Sequence, residues 1–540
     1  MISGAFHYFR THPEQWRARL HWLRLMGLDS VESYVAWNLH EPRPGEFDFT
    51  GFGDLERFLR EAHEEGLGVV FRPGPYICAE WDNGGLPSWL TGKPGIRIRT
   101  ADPAFLEAVD AWFDELIPRI LPHLASRGGP FTMVQVENEY GSFGSDARYL
   151  EHLRDGLLAR GVDVPLFTSD GPADHMLTGG MVDGAAATVN FGSRGGSVNF
   201  YMAHGGTNFG TGAGANYDPP AALSGGRYEP TVTSYDYDAA LDERGAPTGK
   251  FHAFRDVIAR FRAVPALEDF DEPLLPAAAT APAGALVPLA DVLDAVDSGT
   301  LRPRLATGHA ATVASPYPLG FEELGLDHGI VRYRSTLPGP RREYDLTIDG
   351  LADRAQLLVG GVPAHVFERN DQEPYPLAVP AEGLEIELVV ESMGRVNYGR
   401  LTGERKGITG AVLHERQEVH GWTMTPLPLP ELPDLDAVRG SAAPGRDVPA
   451  TAAFHSFHFT ADSPADTFLD TWGWGKGYAW VNGFCLGRYW NAGPHETLYV
   501  PSPVVRAGGN EVVLLELDAA GPAPALVESA RLGAVEPAGA

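Results

Sequence analysis

TVNFGSRGGSVNFYMAHGGTNFG, residues 188–210, decides how the first half of this chain folds. It closes one apolar, β-branched run, AATVNF, and contains a second, SVNFYMA, with only GSRGG between them. Each run reads as an inner strand of a parallel α/β sheet. Parallel neighbours need a crossover of about a dozen residues or more, and GSRGG is too short to be one. Two strands joined this closely can form a hairpin, which is antiparallel. The expectation is therefore a conflict. SVNFYMA should keep its place beside the first strand, because HGGTNFG and a closing helix anchor it. Either AATVNF is displaced, or the sheet stays open where a further strand would lie.

Outward from this stretch, strands alternate with helices. ISGAFHYF, SVESYVAWN, LGVVFRPG, FTMVQVENEYG and VPLFTSDG read as strands one to five, and AATVNF and SVNFYMA follow. The helix HPEQWRARLHWLRLMG carries Trp16, Leu20, Leu23 and Met26 on one stripe and can end at Gly27. Asp54 and Asp102 stand as N-caps of the next two, and GKFHAFRDVIARFRA is the closing helix. This alternation predicts a (β/α)8 barrel. Seven strands are countable where a barrel needs eight.

The texture changes after residue 264. The expected organisation is an incomplete barrel over 1–264, a Pro/Ala-rich linker or wrap over 265–300, a first all-β domain over 301–430, a jelly roll over 451–518 and a tail over 519–540. The fold class is thus α/β followed by two β-sandwich domains. Trp472, Trp474, Trp480 and Trp490 are expected to pack the second sandwich.

The net charge of −29 argues against a nucleic-acid or anionic-membrane partner, which needs basic patches. No apolar run reaches the ~18 residues of a membrane span. MISGAFHYFR has no signal-peptide pattern, so the expected location is cytoplasmic. The chain starts almost inside its first strand, so an upstream segment is expected to be missing. Two distant cysteines, Cys78 and Cys485, make neither a disulfide framework nor a zinc set. His7, His40 and His204 have no metal-like spacing. No metal and no cofactor are expected, and the oligomeric state is not legible.

Active residues of such barrels sit at the C-terminal ends of the strands. Those ends carry His7 and Tyr8; Tyr34, Trp37, Asn38, His40 and Glu41; Tyr76, Cys78, Glu80, Trp81 and Asp82; Glu137, Asn138, Glu139 and Tyr140; Ser169 and Asp170; then HGGTNFG and TSYDYD. Carboxylates, amides and aromatic rings together suit a sugar. The Asn-Glu pair in ENEY suits a glycosidase acid/base, or Glu139 is a surface carboxylate ending a strand. His40 and Glu41 fit a bracing role better than a catalytic one.

The motifs SGAFHYFR, VESYVAWNLHEPRPGEFDF, RPGPYICAEWDNGGLPSWL, VQVENEYG, NFYMAHGGTNFG and TSYDYDA resemble the catalytic domain of glycoside hydrolase family 35, the β-galactosidases. GRVNYG, KGITG and GWTMTPL are similar to its first all-β domain, and DTFLDTWGWGKGYAWVNGFCLGRYW to its galactose-binding-like jelly roll. The resemblance implies retaining hydrolysis of terminal β-galactose, with two carboxyl groups ~5–5.5 Å apart. It implies Glu139 as acid/base, Asn138 on the sugar 2-OH, and Tyr34, Cys78, Ala79 and Glu80 on galactose hydroxyls. Tyr237 would line the nucleophile side. The partners so implied are β-galactosides and galactose-containing glycans.

The family nucleophile is a Glu at the end of strand seven, and no matching segment is found. At ~30 residues per unit of a ~250-residue barrel, roughly 45 residues or more are missing near 192–196. Both flanks stay recognisable, which favours a recent internal deletion or a faulty gene model. Asp218, Glu229, Asp236 and Asp238 are the candidate substitutes. The alternative function is a galactoside-binding protein without catalysis, or a deletion product of such an enzyme.

Overall fold

The computed structural model describes residues 1–190, 198–284, 286–306, 308–441 and 452–533. These fall into two compact units. The first comprises residues 1–208, 234–273 and 397–402, and the second comprises 209–233, 274–396 and 403–540.

The first unit is built on seven strands: β1 (Ile2–Phe6), β2 (Ser30–Tyr34), β3 (Gly68–Arg72), β4 (Phe131–Gln135), β5 (Leu166–Asp170), β6 (Ala185–Val189) and β7 (Val198–His204). Their order is β6-β5-β4-β3-β2-β1-β7, a half-barrel in which every neighbour is parallel. Helices 16–26, 55–64, 103–120 and 147–159 supply the crossovers.

Local sequence explains these helices. Trp16, Leu20, Leu23 and Met26 are buried together, and Gly27 ends their helix in the left-handed region at φ 101°. The Asp54 carboxylate accepts from the Arg57 N–H, and Asp102 accepts from Ala104 and Phe105, so the expected N-caps are in place. The core of this unit gathers Phe6, Trp37, Phe58, Trp112, Leu116 and Phe131, among others.

The strands flanking residues 191–197 resolve the conflict in one direction. AATVNF keeps its place: β6 runs parallel to β5 from Leu166↔Ala185 to Asp170↔Val189. SVNFYMA lies parallel to β1 from Ile2↔Val198 onward. Among the described residues β6 and β7 do not pair with each other; they are the two ends of the sheet, and it is open between them. The join itself, 192–196, lies outside the described residues.

The second unit is antiparallel throughout its major sheets. A six-stranded sheet runs in the order 313–315, 422–428, 329–337, 384–391, 354–359 and 362–368, accompanied by a four-stranded sheet of 375–379, 341–348, 412–414 and 417–418. The jelly-roll strands 453–461, 508–516, 476–481 and 484–490 form one sheet; 525–527, 467–470 and 497–500 form its partner. Residues 265–300, read as a linker or wrap, hold strands Ala281–Pro282 and Val287–Pro288, which pair with 453–461, and a helix, Leu289–Asp297. Leu289, Val292 and Val296 of that helix share a buried cluster with Ile330, Met424, Trp480 and Leu515. Both β-domains therefore pack on common apolar residues. The hairpin Ala215–Asp218/Arg227–Pro230 also belongs to this unit.

Candidate functional site

The C-terminal ends of β3 and β4 leave the sheet through left-handed backbone. Cys78, Ala79 and Glu80 have φ of 58°, 59° and 49°, and Glu137 and Glu139 have φ of 59° and 47°. Tyr237 and Asp238 add 60° and 50°. A non-glycine residue held there costs about 1–3 kcal/mol, and such residues cluster at functional sites. Here they are the residues that the sequence places at the barrel mouth.

Asn138 is fixed by its oxygen. Its Oδ1 accepts from the Tyr34 hydroxyl at 3.0 Å and from Arg72 Nη2 at 2.9 Å. Arg72 also pairs with Glu32 at 3.2 Å and lies 4.2 Å from the Tyr34 ring. This assigns the amide flip. The Nδ2 group keeps only a long contact, 3.4 Å, to the Ile77 carbonyl. Below it, Arg99 grips Glu137 with two bonds of 2.7 and 2.9 Å and donates to the Asn138 carbonyl at 2.8 Å. Arg99 and Glu137 are both fully buried, so the pair anchors the Glu137-Asn138-Glu139 turn from inside.

Asn397 organises the other wall. Its Oδ1 accepts from the Cys78 thiol and the Glu80 N–H, each at 3.3 Å, and its carbonyl accepts from the Tyr76 hydroxyl at 2.6 Å. The sequence assigns Asn397 to an all-β domain, yet residues 397–402 belong to the barrel unit. The Glu80 carboxylate accepts from the Tyr235 hydroxyl, which meets the Tyr201 hydroxyl at 3.0 Å. Tyr237 stands edge-on to Tyr201 at 5.6 Å and tilted to Tyr235 at 5.3 Å, giving a wall of three phenols. Arg10 lies 3.8 Å from the Tyr235 ring and donates to the Ala79 carbonyl at 2.5 Å. One of that carbonyl's two lone pairs is thus used.

Glu139 accepts from the Asn190 amide at 2.8 Å through Oε1. Asn190 is held in turn by the Ser169 hydroxyl at 2.8 Å. Glu139 Oε2 has no hydrogen-bond partner among the described residues. Burial, then the charges of Glu80 and Glu139, pushes the Cys78 thiol up. Burial, Glu80, Cys78 and Glu139 raise the Tyr237 hydroxyl. Glu139, Glu80, Cys78 and Tyr237 therefore share one electrostatic neighbourhood, and Tyr34 joins it through Asn138.

The barrel unit and the β-domains both match known families. The profile of "Glycosyl hydrolases family 35" matches residues 1–195 and, as a second segment, 185–261. "Beta-galactosidase, first all-beta domain" matches 318–428, and "Beta-galactosidase, galactose-binding domain" matches 452–510. The chain is 38% identical to the beta-galactosidase-1-like protein of Mus musculus over 96% of this chain and 86% of that one. It is also 38% identical to a beta-galactosidase of Felis catus over the same shares, and 37% identical to one of Xanthomonas manihotis over 93% and 88%. The chain belongs to glycoside hydrolase family 35. Two features of these matches bear on the half-barrel. The family profile matches in two segments that overlap over 185–195, the second beginning with β6 at Ala185. The alignments with the mouse and cat proteins run to 584 and 604 residues, longer than the 540 residues of this chain.

As a family 35 chain, it shows which rim residues are scaffold. His40 Nδ1 meets the Asp48 carbonyl at 2.9 Å, and Glu41 accepts from the Trp37 indole at 2.6 Å and the Gly45 N–H at 2.8 Å. Both brace the mouth. Asp238 is exposed and pairs with Lys250 at 2.5 Å. Asp236 is half-buried, and burial with the charge of Asp242 pushes its carboxyl up to about 6. Asp218 and Glu229 sit on the hairpin of the second unit. Sequence reading passed over Arg10, Arg72, Arg99, Tyr201, Tyr235 and Asn397. Of the arginines, only Arg72 ends a strand; Arg10 follows β1 by a turn and Arg99 lies in the loop before helix 103–120.

Asp170, at the end of β5, accepts from the Gly141 N–H at 2.9 Å. A Cβ at Gly180 would lie 2.0 Å from its Oδ1, so only glycine fits there. Burial, then the charges of Glu137 and Glu139, pushes Asp170 up to about 6. The folded state thus holds a proton that the unfolded chain, near 3.8, has lost. Between about pH 4 and 6 stability falls as pH rises, and the penalty is complete above 6. Asp170→Asn is expected to gain stability relative to the parent at pH 7.5 but little at pH 4, by up to about 3 kcal/mol. Thermal unfolding at the two pH values checks this; an equal change at both would remove the titration of Asp170 as the cause.

Proposed function

We propose that this chain is a β-galactosidase-type protein that recognises terminal β-D-galactose at the mouth of the half-barrel, with Glu139 as its acid/base. The carrying observation is the Asn138–Glu139 pair. With Tyr34 and Arg72 on its oxygen, Asn138 keeps its NH2, whose contact with the Ile77 carbonyl is long, as the donor that a sugar 2-OH needs. Beside it Glu139 presents one oxygen held by Asn190 and one open. In the retaining scheme the Glu139 proton passes to the leaving glycosidic oxygen as the C1–O bond breaks, and a second carboxylate closes on C1. In the second half Glu139 takes a proton from water, which releases the sugar from that carboxylate. Glu80 accepts galactose hydroxyls, the Cys78 and Ala79 backbone frames them, and Tyr237 covers one edge of the ring.

The second carboxylate belongs to an element that this chain lacks. The sheet left open between β6 and β7 among the described residues, the family profile matching in two segments, and the alignment lengths support an internal deletion. We therefore read the chain as a galactoside binder of very low turnover. Galactose should stabilise it: at ~100 times the dissociation constant the gain is about 2.7 kcal/mol. Differential scanning fluorimetry with galactose against glucose measures this. Glu80→Ala should abolish the galactose shift. A chain indifferent to galactose would rule out an intact sugar subsite.

A further inference from the structure

We propose that Glu243 is a positioning residue for the sugar site: its buried carboxyl clamps the loop 204–208 against the segment 234–237 and so fixes Arg10 and Tyr235 and, through them, Ala79 and Glu80. The inference rests on reading the barrel mouth as a galactose site. The geometry is a chain of contacts. The Thr207 hydroxyl donates to Glu243 at 2.6 Å. The Thr207 N–H donates to the Arg10 carbonyl at 2.8 Å, and the next residue, Asn208, accepts from Arg10 Nε at 2.7 Å. Arg10 in turn donates to the Ala79 carbonyl at 2.5 Å and lies 3.8 Å from the Tyr235 ring, whose hydroxyl donates to Glu80. On the other side the Tyr235 N–H donates to the Gly206 carbonyl at 2.8 Å, and Thr207 faces Ser234 across an antiparallel bridge. The loop is pressed into this seam. A Cβ at Gly205 would lie 1.7 Å from the Tyr235 carbonyl oxygen, and one at Gly206 2.4 Å from that of Arg10.

The charges around Glu243 decide how the clamp works. Burial pushes its carboxyl up to about 8; the charges of Asp236 and Asp242, on its own segment, add to the rise, and the Thr207 and Ser234 hydroxyls oppose it. Arg19, from helix 16–26, acts on Asp242 and His204. His204 meets the Thr11 hydroxyl at 3.1 Å, and burial holds its ring down to about 3, so it is neutral. Arg10 is committed to His7, Asn208 and Ala79. At neutral pH Glu243 is therefore an uncharged acid, which takes the Thr207 hydroxyl without setting a further negative charge beside Asp236 and Asp242. Above pH 8 that charge enters the seam. The folded state keeps a proton that the unfolded chain, near 4.5, has lost, so stability falls as pH rises from about 4.5 to 8, and the penalty is complete above 8. The repulsion is local, so the loop and Tyr235 give way before the sheet does.

Two measurements on the full chain test this: galactose titration by differential scanning fluorimetry from pH 6 to 9.5, and hydrogen exchange, without sugar, of peptides covering 204–208 and 234–237. At pH 6 Glu243→Ala and Thr207→Val should each weaken galactose at least tenfold. Glu243→Gln keeps an acceptor for Thr207 and cannot ionise, so it should bind as the parent does. At pH 9 the parent should lose at least threefold in affinity, and Glu243→Gln should not. Exchange at both peptides should be faster in Glu243→Ala than in the parent at pH 6, and faster in the parent than in Glu243→Gln at pH 9. Were Glu243→Ala to misfold, Thr207→Val would decide. Parent-like galactose binding in both Glu243→Ala and Thr207→Val, or parent and Glu243→Gln profiles that coincide from pH 6 to 9.5, would overturn the inference. A parent indifferent to galactose at pH 6 would remove the galactose reading alone; the clamp then stands if exchange follows the pattern above and falls if it does not.

Discussion

Purified chain given an aryl β-galactoside should release its aglycone at least ~10,000-fold more slowly than a family 35 β-galactosidase with a complete barrel. The reason is the mutual dependence of the two carboxyl groups. A covalent nucleophile and its acid/base act as a unit, and removing the nucleophile forfeits most of the rate that both supply. Glu139 is in place, but an attack on C1 needs reacting atoms ~3–3.5 Å apart, and a ~1 Å misplacement can cost ~100-fold. Of the candidate substitutes in the barrel unit, Asp238 is exposed and turned onto Lys250, and Asp236 is half-buried against the charge of Asp242. Glu139→Gln should therefore leave the residual rate nearly unchanged on an activated aryl galactoside. Turnover within tenfold of a complete enzyme, abolished by Glu139→Gln, would overturn this and require a second carboxylate within reach of C1.

Periodicity and caps made the half-barrel legible. Helix 16–26 needed only its apolar stripe and Gly27, and the order of the strands followed from strand–helix alternation. The unusual join was also legible, because GSRGG cannot cross between parallel strands. The outcome of the conflict was not. It depended on whether five parallel pairs between β5 and β6 could hold AATVNF in place, a tertiary quantity. In the site, Asn138 and Glu139 stood out because an Asn-Glu pair at a strand end is chemically distinctive. Arg99 and Asn397 did not. Arg99 lies 38 residues from Glu137 in sequence, and Asn397 sits in a segment whose neighbours are β-domain. Contacts that distant leave no periodic trace. The same blindness explains Trp472, which stands exposed instead of packing the sandwich: composition cannot tell an exposed indole from a buried one.

Inserting between Asn190 and Val198 a helix–strand–helix segment from a family 35 β-galactosidase should raise solubility and hydrolysis together, with hydrolysis gaining ~1,000-fold or more. The argument starts at the two open edges. Ala186 and Ala187 of β6 are exposed, and Val198 to Tyr201 of β7 alternate between half-buried and exposed before Met202 goes under. An unpaired strand edge with apolar side chains is a template for association between copies. A parallel strand with its own crossovers would pair both edges at once and close an eight-stranded barrel. The flanks need little adjustment, because β6 and β7 already lie in barrel register on β5 and β1. The inserted strand should bring a second carboxylate to the rim that holds Glu139 and Tyr237, which would make the two-step mechanism available to the galactose site proposed above. Light scattering and an aryl galactoside assay on parent and insertion variant measure the two effects. Gained solubility without gained activity would mean that the rim had lost more than its nucleophile; gain of neither would mean that β6 and β7 are not held ready for a missing neighbour.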